Sequence, residues 1–149
     1  MRVVLQRVTR AAVSWGPERN EIGAGLAILV GIGPNDDEGT AARLAEKIAQ
    51  LRIFEDQGGK ANRSLQDVDG EALVVSQFTL YADLSRGRRP GFTGAAAPDL
   101  AERLYRHFAL ALASQGVTVK TGSFGAEMEL EIVNQGPFTV LIDTDNLSR

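Results

Sequence analysis

The segment Gly25-Leu26-Ala27-Ile28-Leu29-Val30-Gly31-Ile32 carries no charged or hydrogen-bonding side chain. An apolar run of that length, closed by Gly33-Pro34-Asn35-Asp36-Asp37, reads as a strand covered on both faces. Such a strand demands a layered fold, and the following residues supply the layer. Ala41, Leu44, Ala45, Ile48 and Leu51 recur at helical spacing, with Arg43, Glu46, Lys47 and Gln50 on the opposite side. Asp36, Asp37 and Glu38 stand where the dipole of that helix favours negative charge.

The rest of the chain repeats the alternation. Met1 to Arg7 is an apolar-rich strand that Ala11-Ala12-Val13-Ser14 continues past a bend, and Trp15 to Asn20 is a turn. A loop runs from Asp56 to Gly70, and Ala72 to Tyr81 forms the second long strand. Asp83 to Ala97 is a loop holding Arg86, Arg88, Arg89 and Pro90. Pro98, Asp99 and Glu102 open a second helix whose buried stripe is Leu100, Leu104, Tyr105, Phe108, Ala109 and Leu112, ended by Gly116. Three short strands follow, Val117 to Gly122, Ala126 to Val133 and Thr139 to Asp143. In the middle one Met128, Leu130 and Ile132 alternate with Glu127, Glu129 and Glu131, giving one wet face. The expected architecture is one α/β (α+β) domain over residues 1–149, with a mixed β-sheet of about five to six strands and two main helices.

Bulk properties narrow the function. The 149 residues contain no cysteine, which removes disulfides, thiolate nucleophiles and thiolate metal sites together. Arg7 interrupts the apolar start too early for a signal peptide, and no stretch approaches the ~20 apolar residues of a membrane span. The expectation is a cytoplasmic protein without a membrane partner. With a net charge of −3, any nucleic acid must be met by a local basic patch.

The usual catalytic constellations are missing. The sole histidine, His107, falls beside the apolar stripe of the second helix and reads as a half-buried structural residue. No Gly-x-Ser-x-Gly elbow presents Ser76, and no His and carboxylate spacing makes a metal site, so neither metal nor cofactor is expected. Neither Gly31-Ile32-Gly33 nor Gly122-Ser123-Phe124-Gly125 has phosphate-loop spacing. What remains is a site built from backbone. Ser76, Gln77 and Thr79 interrupt an apolar strand; they either cap its edge or meet a ligand. Asn134-Gln135-Gly136-Pro137 is either a plain hairpin connection or a rigid turn with a cis Gly-Pro bond.

These two segments carry a resemblance. Ser76-Gln77-Phe78-Thr79-Leu80 and Asn134-Gln135-Gly136-Pro137-Phe138-Thr139 resemble the Ser-Gln-Phe-Thr-Leu and Asn-x-Gly-Pro-x-Thr signatures of the D-aminoacyl-tRNA deacylases. The start of the chain, Gly87-Arg88-Arg89-Pro90, and Gly122-x-Phe124-Gly125-Ala126-x-Met128 are similar to family segments at matching places. The family often carries an acid where Gln135 stands and Val where Phe138 stands.

The resemblance implies an esterase that clears D-aminoacyl-tRNA, and glycyl-tRNA with it, at the CCA end. It places catalysis at Ser76, Gln77, Phe78 and Thr79, with backbone N–H groups of Gln77 and Phe78 polarising the ester and the 2′-OH of the terminal adenosine assisting water. It implies a homodimer whose sheets pair across subunits, with Gly136 and Pro137 of one copy walling the pocket of the other against L side chains. Arg7 braces that wall, with Asn134 and Thr139 beside it. Phe124 and Met128 would hold the adenine, and Arg86, Arg88 and Arg89 the phosphates; no DNA partner is implied. Two rival readings stay open: a tRNA-binding module without catalysis, and a small amino-acid-binding regulatory domain.

Overall fold

A computed structural model describes residues 1–148; Arg149, the last residue of the expected 1–149 domain, lies outside the described residues. The chain forms strands β1 (Arg2–Trp15), β2 (Glu18–Ile22) and β3 (Gly25–Gly31), helix α1 (Glu38–Gln50), and a small pair β4 (Phe54–Glu55) and β5 (Ala61–Arg63). Strand β6 (Glu71–Ser76), a 3-10 turn (Phe78–Tyr81), helix α2 (Pro98–Ser114), β7 (Thr118–Thr121) and β8 (Glu129–Asp143) complete it. The main sheet has six strands in the order β2-β1-β3-β6-β7, with β8 on the other side of β1. Pairing of β3 with β6 and of β6 with β7 is parallel, and the β1 pairings are antiparallel, so the sheet is mixed. The expected α+β class, strand number and two main helices agree with this arrangement.

The apolar run in β3 is covered on both faces. Leu26, Ile28 and Val30 join Ala72 and Val74 of β6 beneath the helices, against Leu44, Ile48, Leu104, Phe108 and Leu112. Ala27 and Leu73 face the other way, into a second cluster with Val8, Val13 and Ile22, on which Met128 and, from β8, Leu130 and Ile132 pack. Asp37 caps α1 by accepting a hydrogen bond from the Thr40 N–H (2.7 Å), leaving the acids at the positive end of the helix. Pro98 opens α2 as its first residue, where a missing N–H costs nothing. His107 sits half-buried on α2. No helix among the described residues is long and apolar enough to cross a membrane.

Three expectations are corrected. The strand expected over Ala72 to Tyr81 ends at Ser76, and Phe78 to Tyr81 coil into a 3-10 turn. The cause is β3, whose pairing with β6 stops at Val30↔Ser76; the Gln77 N–H donates to the Val30 carbonyl (2.8 Å), and the chain then turns over Gly31. A Cβ on Gly31 would lie 3.0 Å from the Gln77 carbonyl oxygen and 3.1 Å from the Leu80 Cβ, so the turn needs the glycine. Secondly, the strand expected from Ala126 begins only at Glu129, and it runs on through Thr139 to Asp143 as one strand, β8, with no hairpin between. Gln6 pairs with Thr139 and Val8 with Asn134, so Gln135 to Phe138 bulge out opposite Arg7 alone. Thirdly, part of the expected turn after Trp15 is strand β2, registered on Ala11 to Trp15.

Phe108 is fully buried where α2 meets the sheet. Phe108→Ala is expected to cost about 3–5 kcal/mol of unfolding free energy, read by urea denaturation. A loss below about 1 kcal/mol would contradict this placement of the core.

Candidate active site

A cleft of about 600 Å³ opens where the ends of β3 and β6 meet the start of α2. Val30, Val75, Ser76, Gln77 and Phe78 line it from the β3 and β6 ends, and Phe124, Met128 and Leu130 line it from β8 and the segment that leads into it. Phe92, Ala95, Ala96 and Pro98 close a third side. Apolar walls with a few polar backbone groups are the usual make-up of a small-ligand site. The structure thus gathers Ser76, Gln77, Phe78, Phe124 and Met128 from the sequence candidates. The wall from Phe92 to Pro98 went unrecognised in the sequence; its signal is the run of small residues Ala95-Ala96-Ala97 before a helix-opening proline.

The 3-10 turn supplies the polar edge of this cleft. The Gln77 N–H is committed to Val30, so it is not free to polarise a ligand, contrary to the expectation for Gln77. Within the turn the Leu80 N–H reaches the Gln77 carbonyl (3.3 Å) and the Ala82 N–H reaches that of Thr79 (3.0 Å). Phe78 and Thr79 come first in the turn, where the chain has no preceding carbonyl to offer their N–H groups. Thr79 is exposed and lies outside the cleft lining; its hydroxyl accepts a hydrogen bond from the Gln77 side-chain amide. No histidine or carboxylate contacts the Thr79 hydroxyl among the described residues. The Phe78 ring, 57% exposed, stands edge-on to Phe92 with centroids 5.0 Å apart.

Arg2, at the start of β1, holds the turn from behind. Its guanidinium donates to the Leu80 carbonyl (3.1 Å), pairs with Asp143 (3.2 Å) and lies 4.5 Å from the centre of the Tyr81 ring. Burial, with the nearby Asp36 carboxylate, pushes the Tyr81 phenol up, so it stays neutral. Tyr105, whose hydroxyl donates to the Val74 carbonyl (2.8 Å), is pushed up to about 12 by burial and is likewise no acid or base near neutrality. Among the described residues no three His, Asp or Glu side chains converge as metal ligands would.

The second set of candidates sits elsewhere, at the β8 bulge. Arg7 is buried and fills the space that the bulge leaves opposite it. It donates to the carbonyls of Gln135 (3.3 Å) and Ile53 (2.8 Å), and its guanidinium stacks 4.8 Å from the centre of the Phe138 ring. Gly136 has φ +131, and a Cβ there would come within 3.2 Å of the Arg7 guanidinium and 3.1 Å of the Phe138 nitrogen. The Gly136–Pro137 bond is cis. Asn134 shapes the bulge by accepting from the Phe138 N–H (2.9 Å) and donating to the Thr139 hydroxyl (3.0 Å). Gly136 and Pro137 are exposed and do not line the cleft of their own chain.

Arg86, Arg88 and Arg89 occupy an exposed loop closed by paired hydrogen bonds between Asp83 and Gly91 (2.7 and 2.9 Å). None of the three has a carboxylate partner within 4.0 Å among the described residues. Phe92, next to the loop's base, is part of the cleft wall, while the three arginines are not among the residues that line the cleft.

The Arg2 tether gives a local prediction. Arg2→Ala is expected to raise amide hydrogen exchange at Leu80 and Ala82 by about tenfold, as loss of a charge-assisted hydrogen bond implies. Exchange in α2 should stay unchanged, and equal acceleration in both elements would contradict the tether.

Comparison with known proteins agrees with this geometry. The sequence profile of the family described as D-Tyr-tRNA(Tyr) deacylase matches residues 4–143. The D-aminoacyl-tRNA deacylase of Roseiflexus sp. is 57% identical over 97% of this chain and 94% of its own. That of Symbiobacterium thermophilum is 53% identical over 97% of both chains, and that of Deinococcus radiodurans 53% identical over 96% of this chain and 99% of its own. Among solved structures, the c-Myc DNA unwinding element binding protein superposes with TM-score 0.89 at 38% identity, covering 96% of this chain and 98% of that one. A probable eukaryotic D-amino acid tRNA deacylase shares the fold, with TM-score 0.85 at 18% identity over 95% of this chain and 97% of that one. The chain belongs to the D-aminoacyl-tRNA deacylase family, hydrolases that act on the ester bond of aminoacyl-tRNA.

Proposed function

We propose that the cleft binds the 3′-terminal adenosine of D-aminoacyl-tRNA and hydrolyses its ester through backbone groups. The observation that carries this reading is the Phe78 N–H, first in the 3-10 turn and left without an acceptor among the described residues, at the edge of a mostly apolar cleft, with the Thr79 N–H next to it in the chain. Donors fixed in that way stabilise the oxyanion of an acyl-transfer transition state without reorganising. Ser76 and Gln77 set the start of the turn, and the Gln77 amide orients the Thr79 hydroxyl as a binding group. The cleft offers no side-chain base, so the attacking water is activated by the adenosine 2′-OH. Phe124 and Met128 hold the adenine, and Arg86, Arg88 and Arg89 take the phosphates.

Chiral selection belongs to a second copy of the chain. Gly136 and Pro137 project from β8 clear of their own cleft, braced by the buried Arg7. In a homodimer they enter the partner's cleft, where their carbonyls leave no room for an L side chain at Cα. The exposed Leu141 (80%) and Val133 (40%) on the same strand fit a face that a second copy covers. Selection by exclusion tolerates any D side chain and also admits glycine. A cytoplasmic site of action follows from the tRNA substrate.

Ester hydrolysis on D-Tyr-tRNA, L-Tyr-tRNA and Gly-tRNA tests the reading. D-Tyr-tRNA and Gly-tRNA are expected to be cleaved, and L-Tyr-tRNA at least about 100-fold more slowly, a discrimination of some 2.7 kcal/mol. Comparable cleavage of the L ester would contradict the gate. Binding of tRNA without cleavage would favour a passive RNA-binding module, and binding of free D-amino acid alone a regulatory domain. Binding to duplex DNA as tight as to tRNA would assign the Arg loop to DNA, the ligand in the name of one structural neighbour.

A further inference from the structure

Behind Phe124 lies a second groove, of about 410 Å³, which the deacylase reading leaves unused. It runs between the end of β1 and the outer face of α2, walled by Trp15, Arg106, Leu110, Thr121, Ser123 and Phe124. Phe124 belongs to both cavities, so one ring separates the cleft from the groove. Trp15 is half-buried, and it packs from the side on the cluster containing Val8 and Val13. Leu110 is 71% exposed, an apolar side chain at the groove lip that no described residue covers. Arg106 lines the groove and donates to Glu102 (2.7 Å) in an exposed ion pair, weak enough for a phosphate to compete for the guanidinium.

We infer that this groove is the subsite for the nucleotide that precedes the terminal adenosine, a base stacked against Trp15 with its phosphate towards Arg106. The inference rests on the adenosine assignment of the cleft: with the adenine against Phe124 and Met128, the polynucleotide leaves past Phe124, and the groove is contiguous there. Its chemistry suits a single-stranded base. Aromatic surface supplies a stacking platform, Ser123 and Thr121 offer hydroxyls to a base edge, and one cation meets one phosphate. The volume falls within the range of small-ligand pockets. An apolar peptide would need a longer unbroken trough than these residues make.

Two minimal substrates test it, D-tyrosyl-adenosine and D-tyrosyl cytidylyl-(3′→5′)-adenosine, which differ only by the added nucleotide. The protein is expected to hydrolyse the dinucleotide ester about tenfold better in kcat/KM, as one base stacked on an aromatic side chain implies. Trp15→Ala should remove that advantage while leaving D-tyrosyl-adenosine hydrolysis unchanged, and Trp15→Phe should restore most of it. Leu110→Glu, at an exposed position that spares the fold, should also reduce the advantage by setting a negative charge beside the phosphate. Equal rates for the two substrates in the unaltered protein, or variants that depress both alike, would overturn the subsite while leaving the deacylase reading intact. Hydrolysis of neither substrate, with D-Tyr-tRNA also untouched, would instead remove the adenosine assignment and the subsite with it.

Discussion

The hydrogen bond from the Gln77 N–H to the Val30 carbonyl is the point on which the site depends. It is the last bond between β6 and β3, and it decides where the extended chain stops. One residue further and Phe78 would be a strand residue with its N–H paired in the ladder. Instead the chain coils over Gly31, a position where a Cβ would be tightly crowded, and the next two N–H groups are left without acceptors among the described residues. Under the proposed function, N–H groups fixed in place by the turn would meet a charge that appears only during reaction. Arg2 secures the far end of the turn, so its position is fixed from both sides.

A second constraint works where β8 pairs with β1. Arg7 is a buried cation without a carboxylate partner among the described residues, satisfied by two carbonyls and the face of Phe138. Removing a charge from water is costly, and these contacts compensate it only while the β8 bulge keeps its shape. The bulge and the arginine therefore specify each other. The proposed function uses the backbone at two places, the turn after β6 and the exposed Gly136-Pro137 segment of β8.

Much of this was legible in the sequence. The all-apolar run of β3, the helical spacing of α1 and α2 and the Pro98 start are strong local signals, and they hold in the structure. Two boundaries were not legible, for a common reason. Leu80 and Tyr81 look like strand residues by composition, and only the end of β3 beside them forces the turn. Gly136-Pro137 looks like a hairpin, and only pairing of both flanks with β1 shows the strand passing through it. Both are tertiary effects, decided by a neighbour distant in sequence. Candidate residues clustered better than their roles: Ser76, Gln77, Phe78, Phe124 and Met128 share a cleft, yet the Gln77 N–H is spoken for, and that follows from register alone.

Catalysis by the main chain is the central claim, and an amide-to-ester replacement at residue 78 tests it most directly. Substituting the α-hydroxy analogue of phenylalanine for Phe78 deletes a single N–H and keeps every side chain. On D-Tyr-tRNA this variant is expected to lose about 10²–10³ in kcat with little change in KM. Unchanged kcat in the ester variant, together with complete loss of activity in a folded Thr79→Ala, would contradict the account and make the threonine hydroxyl the catalytic group.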